Sequence, residues 1–474
     1  MSSDLAFSTI SELSKLLSRK EISPVELLKD TIARYERLEP LLNMFAYVDF
    51  DHAMQDAQSS QTRIMRGEKR GELDGIPTSV KDLIAVRDMP QRFGSRSVPA
   101  TPMSVDAPSV ERLREAGAVI LGKSTTSEFG CKAVGDSPLT GITRNPWDPA
   151  LTPGGSSCGA AAMVAAGLVP YALGTDGGGS VRIPAALTGL YGIKAHFGRV
   201  AVYPTSATPT LAHVGPLART VEDAAIVLSV IGVYDRRDPF SVSGPQPDFI
   251  GAVRSNRKMR LAYSPTLGYG RVDPQVAACV EQAVETLASQ GLKVDRVDTV
   301  MDDPIDLWVA EFYAGVGTKL RATIENQPEQ LDPAVLEVLK DALNQGMDDY
   351  YRSVFARYAF RDRMRALFED YDVLLTPTVP VTAFAAGRDV PPGFEDKTIV
   401  SWATYTYPFN LTGQPAASIP VGFSSEGLPI GMQAIAGVQD EATVLAVSGA
   451  FQNARGNLLA QKPDLEALER WAAN

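Results

Sequence analysis

Residues able to do chemistry crowd into three short segments. They are Gly75-Ile-Pro-Thr-Ser-Val-Lys81-Asp82, Thr152-Pro-Gly-Gly-Ser156-Ser157-Cys158-Gly159, and Gly174-Thr-Asp176-Gly177-Gly178-Gly179-Ser180-Val-Arg182. In the third, three consecutive glycines run into a serine and leave their amide N–H groups unshielded. Such amides can converge on one point, as an oxyanion hole requires. A tight turn in a packed α/β protein is the plainer reading of the same run.

Two further motif matches fail on context. Gly117-Ala-Val-Ile-Leu-Gly122-Lys123-Ser124 fits G-x-x-x-x-G-K-[ST] letter for letter. A P-loop needs a strand before the first glycine and a phosphate-cradling loop at the four variable positions. Here those positions are Ala-Val-Ile-Leu, which read as the strand itself. Gly155-Ser-Ser-Cys-Gly159 fits G-x-S-x-G, but a turn-rich loop precedes it, where a nucleophile elbow needs a strand. Its histidine is missing too, since only His196 and His213 lie downstream.

The elements that must position these segments alternate between helix and strand. Ile10, Leu13, Leu16 and Leu17 share one helical face, as do Val25, Leu28, Ile32 and Tyr35 of a second helix. Ser23-Pro24-Val25-Glu26 supplies a capping box with proline at the first helical position. Pro108 to Ala116 reads as helix, Ala118 to Leu121 as a buried strand, Ser156 to Ala166 as a small-residue helix and Val169 to Leu173 as strand. Met259 to Tyr263, a helix through Val276 to Leu287, and Leu292 to Val297 continue the alternation. Residues 303–370 are helix-rich, and strand character returns at Val373 and Ala417. Alternation of this kind predicts an α/β fold with a mixed or mostly parallel sheet.

Composition excludes several classes. The 474 residues carry 45 Lys and Arg against 56 Asp and Glu, a net charge of −11. That balance argues against general affinity for nucleic acid or an anionic membrane. Residues 149–175 hold no charge and are long enough to span a bilayer. Yet Pro149, Pro153, Pro170 and a mainly Ala, Gly and Ser content point to a tightly packed interior. Three cysteines without close pairing fit a reducing compartment, and three histidines without metal-ligand spacing predict no zinc site. The start Met1-Ser-Ser-Asp-Leu lacks a secretory pattern, so the expected location is cytoplasmic.

Taken together, the three segments resemble the amidase signature family, the Ser–Ser–Lys hydrolases of amide bonds. The match is dense from Gly75 to Ala225 and includes Gly-Leu-Tyr-Gly-Ile-Lys194 and His213-Val-Gly-Pro-Leu-Ala-Arg-Thr-Val-Glu-Asp. It recurs in Asp372-Val-Leu-Leu-Thr-Pro-Thr and Phe409-Asn-Leu-Thr-Gly-Gln-Pro-Ala. The resemblance implies an α/β fold: a single large domain over 1–474 with a mixed, mostly parallel sheet covered by helices on both faces. Within it, the expectation is an N-terminal helical segment 8–45, a catalytic core 70–230 and 371–450, and a peripheral layer 303–370.

Position by position, the family's catalytic lysine falls on Lys81, its bridging serine after a cis peptide on Ser156, and its nucleophile on Ser180. Its oxyanion amides fall on Gly177, Gly178, Gly179 and Ser180. Lysine serves as a base if burial among uncharged groups keeps it neutral, and the charge-free stretch supplies such surroundings. Asp82 would raise the pKa of Lys81, so it is expected to point away. Ser157 either bonds Lys81 and holds the loop or N-caps the Ala-rich helix. Asp176 and Arg182 are expected to tie the nucleophile loop as an ion pair. Cys131 and Asp136 fall where the family tends to build its acyl pocket, and Phe384, Trp402, Tyr405 and Phe409 either border a pocket or are plain core. Two departures stand out: Cys158-Gly159-Ala160 ends the serine segment, and Gly177 occupies a frequent threonine position. Cys158 is either a reactive thiol at a helix start or a small filler.

The implied function is an amidohydrolase for linear carboxamides, with carbamates and esters chemically admissible. It needs no cofactor, takes a small-molecule substrate, binds neither nucleic acid nor membrane, and acts as a monomer or homodimer. The alternative is the A subunit of a glutamyl-tRNA(Gln) amidotransferase working in a complex. The run Glu128-Phe-Gly-Cys-Lys-Ala-Val-Gly-Asp-Ser-Pro speaks against that alternative.

Overall fold

A computed structural model describes residues 5–455 and 461–472. Met1 to Asp4, on which the expected lack of a secretory pattern rests, lie outside the described residues. Thirteen strands occur among the described residues. The first seven are β1 (Phe45–Val48), β2 (Pro77–Lys81), β3 (Val119–Ser124), β4 (Asp136–Ser137), β5 (Gly141–Ile142), β6 (Tyr171–Asp176) and β7 (Tyr191–Lys194). Then follow β8 (His213–Ala218), β9 (Arg260–Tyr263), β10 (Lys293–Arg296), β11 (Val373–Pro377), β12 (Ala416–Phe423) and β13 (Pro429–Ala436). Eleven form one sheet in the order β1-β3-β2-β6-β8-β7-β12-β13-β11-β9-β10, and β4 pairs with β5 as a small hairpin.

The sheet is mixed. Its parallel pairs lie toward the flanks, in β3-β2-β6 and β11-β9-β10, where helical crossovers connect the strands, and β1 closes one edge antiparallel to β3. Antiparallel ladders fill the centre from β6 through β8, β7, β12 and β13 to β11. The mostly parallel character expected from the sequence is thus a property of the flanks. Helices cover both faces, and every residue of β2, β3 and β13 is buried. That is why these strands read as runs rather than as alternations.

Local signals set the helix starts. Ser23 Oγ accepts the Glu26 amide at 3.1 Å while the Glu26 carboxylate accepts the Ser23 amide at 2.8 Å, and the helix Pro24–Leu42 begins there. The charge-free stretch becomes the helix Cys158–Ala165, buried on all sides, followed by β6. Alanine and glycine allow that approach: a Cβ on Gly159 would stand 2.2 Å from the Met44 carbonyl oxygen. Among the described residues, no helix is long and apolar enough to cross a membrane. The P-loop-like run is strand from Val119 to Ser124, as its apolar letters required.

Residues 303–370 fold as the helices Ile305–Asn326, Pro333–Ala342 and Met347–Asp370. They are more than the expected outer layer. The first of them carries Trp308 and Phe312 into contact with the Gly177–Gly178 loop.

Candidate active site

Lys81 ends β2 with its side chain fully buried. Its Nζ donates to Ser156 Oγ at 2.7 Å and to Ser157 Oγ at 2.9 Å. Among the described residues no carboxylate stands within ion-pair distance of it. Burial pushes Lys81 down to about 7, against the opposing pull of Cys158 and Asp176. Asp82 points elsewhere, because successive side chains of a strand leave on opposite faces. Its carboxylate accepts the amides of Arg92 and Gly94 and lies 3.7 Å from Lys123 Nζ.

The Gly155–Ser156 peptide is cis. Ser157 Oγ accepts from Lys81, accepts from the Thr175 amide at 3.3 Å and donates to the Thr175 carbonyl at 3.2 Å. Those three bonds use its one donor and both acceptor sites, so it bonds the lysine and holds the loop. The Ser157 hydroxyl makes no capping bond to the helix that follows, which Ser157 meets through its carbonyl, the acceptor of the Ala161 amide at 3.1 Å. A Cβ on Gly174 would come within 2.7 Å of that Oγ, which explains the glycine. Ser156 Oγ accepts from the charged Lys81, and once the amine is neutral its lone pair, at the same 2.7 Å, is the acceptor for the Ser156 proton.

The loop of Gly177, Gly178 and Gly179 is held peptide by peptide. Trp308 Nε1 donates to the Gly177 carbonyl at 2.8 Å, Thr406 Oγ1 to the Gly178 carbonyl at 2.7 Å, and the Ile183 amide to the Gly179 carbonyl at 2.7 Å. In a trans peptide the C=O and the following N–H point opposite ways. Each anchored carbonyl therefore aims the next amide. The Gly179 amide is aimed at Asp176 Oδ1, 2.8 Å away, and is spent there. The amides of Gly177, Gly178 and Ser180 make no hydrogen bond to protein among the described residues. Ser180 is bound to the other serine segment through its carbonyl, which accepts the Ser157 amide at 3.2 Å.

Asp176 and Arg182 form the expected ion pair at 2.9 Å, both fully buried. Burial pushes the Asp176 carboxyl up, but the Arg182 guanidinium overrides this and holds it well below the usual range. Arg182 also donates to the Thr406 carbonyl, Gln433 Oε1 and Asn410 Oδ1. The C-terminal match thus supports the loop from behind. Phe384, Trp402, Tyr405 and Phe409 are buried core on that side and line no part of the cavity.

Ser156 and Ser180 open onto a cavity of about 460 Å³. Phe93, Met103, Phe129, Phe312, Val316 and Leu320 dominate its walls. Its described lining holds no Asp, Glu or Arg side chain; the titratable groups on it are His213 and Lys319, with the Tyr203 hydroxyl beside them. His213 Nδ1 donates to the Leu211 carbonyl at 2.7 Å. Burial, together with nearby Lys194, holds the ring well below its usual range, so it stands there as neutral imidazole.

Cys131 and Asp136 fall outside this lining. Cys131 is buried, with burial pushing its thiol well up, and its carbonyl accepts the Tyr313 hydroxyl. Asp136 turns to Lys132 at 2.6 Å. The neighbouring turn, Phe129-Gly130, reaches the cavity instead. Cys158 is buried, and burial pushes its thiol up, so it is a filler rather than a reactive group. Trp308, Phe312, Thr406 and Phe93 had no motif to announce them, while His213 and Phe129 lie in runs that gave them no role.

Fold and geometry together define a large α/β protein with a buried lysine beside paired serines and an anchored glycine loop. The sequence profile of the Amidase family matches residues 26–445. An acylamidase of Rhodococcus erythropolis is 32% identical over 463 residues, 95% of this chain and 96% of its own length. The A subunit of the glutamyl-tRNA(Gln) amidotransferase of Chloroflexus aggregans is 34% identical, covering 98% of this chain and 99% of its own. Among solved structures, a bacterial aryl acylamidase of the amidase signature enzymes superposes with a TM-score of 0.90 at 29% identity, covering 98% and 99%. A 6-aminohexanoate cyclic dimer hydrolase gives 0.89 at 27% identity, covering 98% and 100%. This chain belongs to the amidase signature family of hydrolases.

Proposed function

We propose that the chain is a serine amidohydrolase that cleaves small aryl and alkyl carboxamides, with carbamates and activated esters as further substrates. The observation carrying this reading is the buried, carboxylate-free Lys81, pushed down to about 7 by its burial and hydrogen-bonded to Ser156 at the edge of an apolar cavity that also holds Ser180. Neutral Lys81 takes the Ser156 proton as Ser156 takes that of Ser180, and Ser180 Oγ attacks the carbonyl. The amides of Gly177, Gly178 and Ser180 receive the oxyanion. The proton returns through Ser156 to the leaving amine, and water then cleaves the acyl-enzyme by the same relay. No cofactor takes part, and a cytoplasmic monomer or homodimer suffices.

The A subunit of an amidotransferase is the second reading, favoured by relatives of similar identity. Glutamine would bring an ammonium and a carboxylate into the cavity, whose described lining offers Lys319 for the carboxylate but no carboxylate for the ammonium. The test is turnover of anilides, alkyl amides and glutamine by the lone purified chain. Cleavage of simple amides supports the first reading. Inertness to all of them, with glutaminase activity appearing only beside a tRNA-binding partner, supports the second.

A further inference from the structure

Lys123, the lysine of the P-loop-like run, has no part in the chemistry just described, yet it is fully buried beside it. Its strand position pairs with Val80, so it leaves the sheet on the face opposite Lys81. There its Nζ donates to the Ile84 carbonyl at 2.6 Å and stands 3.7 Å from Asp82 Oδ1. The Asp82 carboxylate in turn accepts the amides of Arg92 and Gly94, each at 3.2 Å. Those two residues flank Phe93.

Phe93 adopts φ +56°, a left-handed conformation uncommon for an aromatic residue. Its carbonyl accepts the amide of Phe129 at 2.8 Å, and Phe129 is itself left-handed at φ +50°. The two rings stack with centroids 5.8 Å apart and planes 22° apart, and both line the cavity. Gly130 follows at φ +72°, where a Cβ would stand 3.2 Å from Ser156 Oγ. Two bulky residues keep such backbone angles only where their surroundings over-determine them. The loop 83–107 that carries Phe93 has no helix or strand of its own. The buried ionic anchor at the Phe93 turn is Asp82 with Lys123, while Asp106 with Arg114 holds the loop at Arg87.

We propose that Lys123 and Asp82 are positioning residues for substrate selection. By clamping the Phe93 turn they keep Phe93 stacked on Phe129, and the stacked pair forms an aromatic wall against which an aromatic ring of the substrate packs. The inference rests on the amidase reading of the cavity. Its mechanism is simple: Lys123 neutralises a buried carboxylate, the carboxylate fixes two amides, and the amides fix a ring.

The test is equilibrium binding, which needs no turnover. In a Ser180→Ala background, the affinities of benzamide and acetanilide are compared by calorimetry with those of butyramide and N-butylacetamide. We expect at least one aromatic compound to bind about tenfold tighter than its aliphatic counterpart, the scale of one aromatic contact. Phe93→Leu and Lys123→Met should each cut that preference to about threefold or less, while butyramide binding is held. Should Lys123→Met fail to fold, the double variant Asp82→Asn, Lys123→Met removes both charges together and is expected to show the same loss. An unchanged preference in a folded Lys123 variant overturns the proposal, as does equal weakening of all four compounds. If the wild-type chain is inert toward amides yet shows this preference, the amidase reading fails while the wall stands.

Discussion

Lys81 has two hydroxyl partners and no carboxylate, so its protonation is governed by burial. With its titration moved down to about 7, the sign of the pH dependence follows. Above that pH the amine is neutral and accepts a proton; below it the ammonium cannot. We predict that kcat/KM for a neutral amide falls about tenfold per pH unit on the acid side of a break near 7. A profile flat from about pH 5 to 9 would contradict this. Lys81→Ala should lower amide hydrolysis by about 10²-fold more than ester hydrolysis, because an amine leaves only when protonated and an alkoxide needs that less. Matched anilide and phenyl ester substrates measure the difference. At this scale the sequence was legible where residue type limits chemistry: a lysine before an aspartate, paired serines, three glycines into a serine. It was not legible where chemistry is absent, and Cys131 and Asp136 fell outside the cavity because a short turn decides which side chain enters it.

The helix Ile305–Asn326 shows what an element contributes without a motif. Trp308 fixes the Gly177 carbonyl and so aims the Gly178 amide. Trp308→Phe keeps the ring packing and removes the N–H, so kcat should fall about tenfold or more, with the fold unchanged by circular dichroism. Loss of the fold, or unchanged kcat, would show that the anchor does not orient the amide. Arg182 joins the start of the helix Arg182–Thr188 to Asp176 and to the segment 406–433. Arg182→Met leaves the Asp176 carboxylate buried without its partner, and we expect a loss of about 3–5 kcal/mol in urea unfolding. Helix starts at Ser23 and Pro108 and the buried strand at Val119 were readable because caps and apolar runs are local signals. The service that residues 305–326 give to Gly177 was not, since an apolar face looks the same whether it meets core or an active-site loop.

Across the whole molecule, the site is assembled from β2, the 152–157 loop, the end of β6 and the distant helix that carries Trp308. Only the folded sheet brings them together, by placing β2 beside β6. The alternation of helix and strand pointed to the α/β class, whereas the antiparallel centre depends on pairings between distant strands that periodicity does not encode. The apolar cavity likewise arises from separate loops, none of which is distinctive alone. At the centre of the proposed chemistry is one claim, that Ser180 carries the acyl group. Intact-protein and peptide mass spectrometry after brief exposure to slowly deacylating esters and carbamates tests it directly. We predict one added acyl or carbamoyl mass on the peptide bearing Ser180, absent in Ser180→Ala, which should also lose all hydrolysis while staying folded. An adduct on Ser157 or Cys158, or full activity in Ser180→Ala, would contradict it.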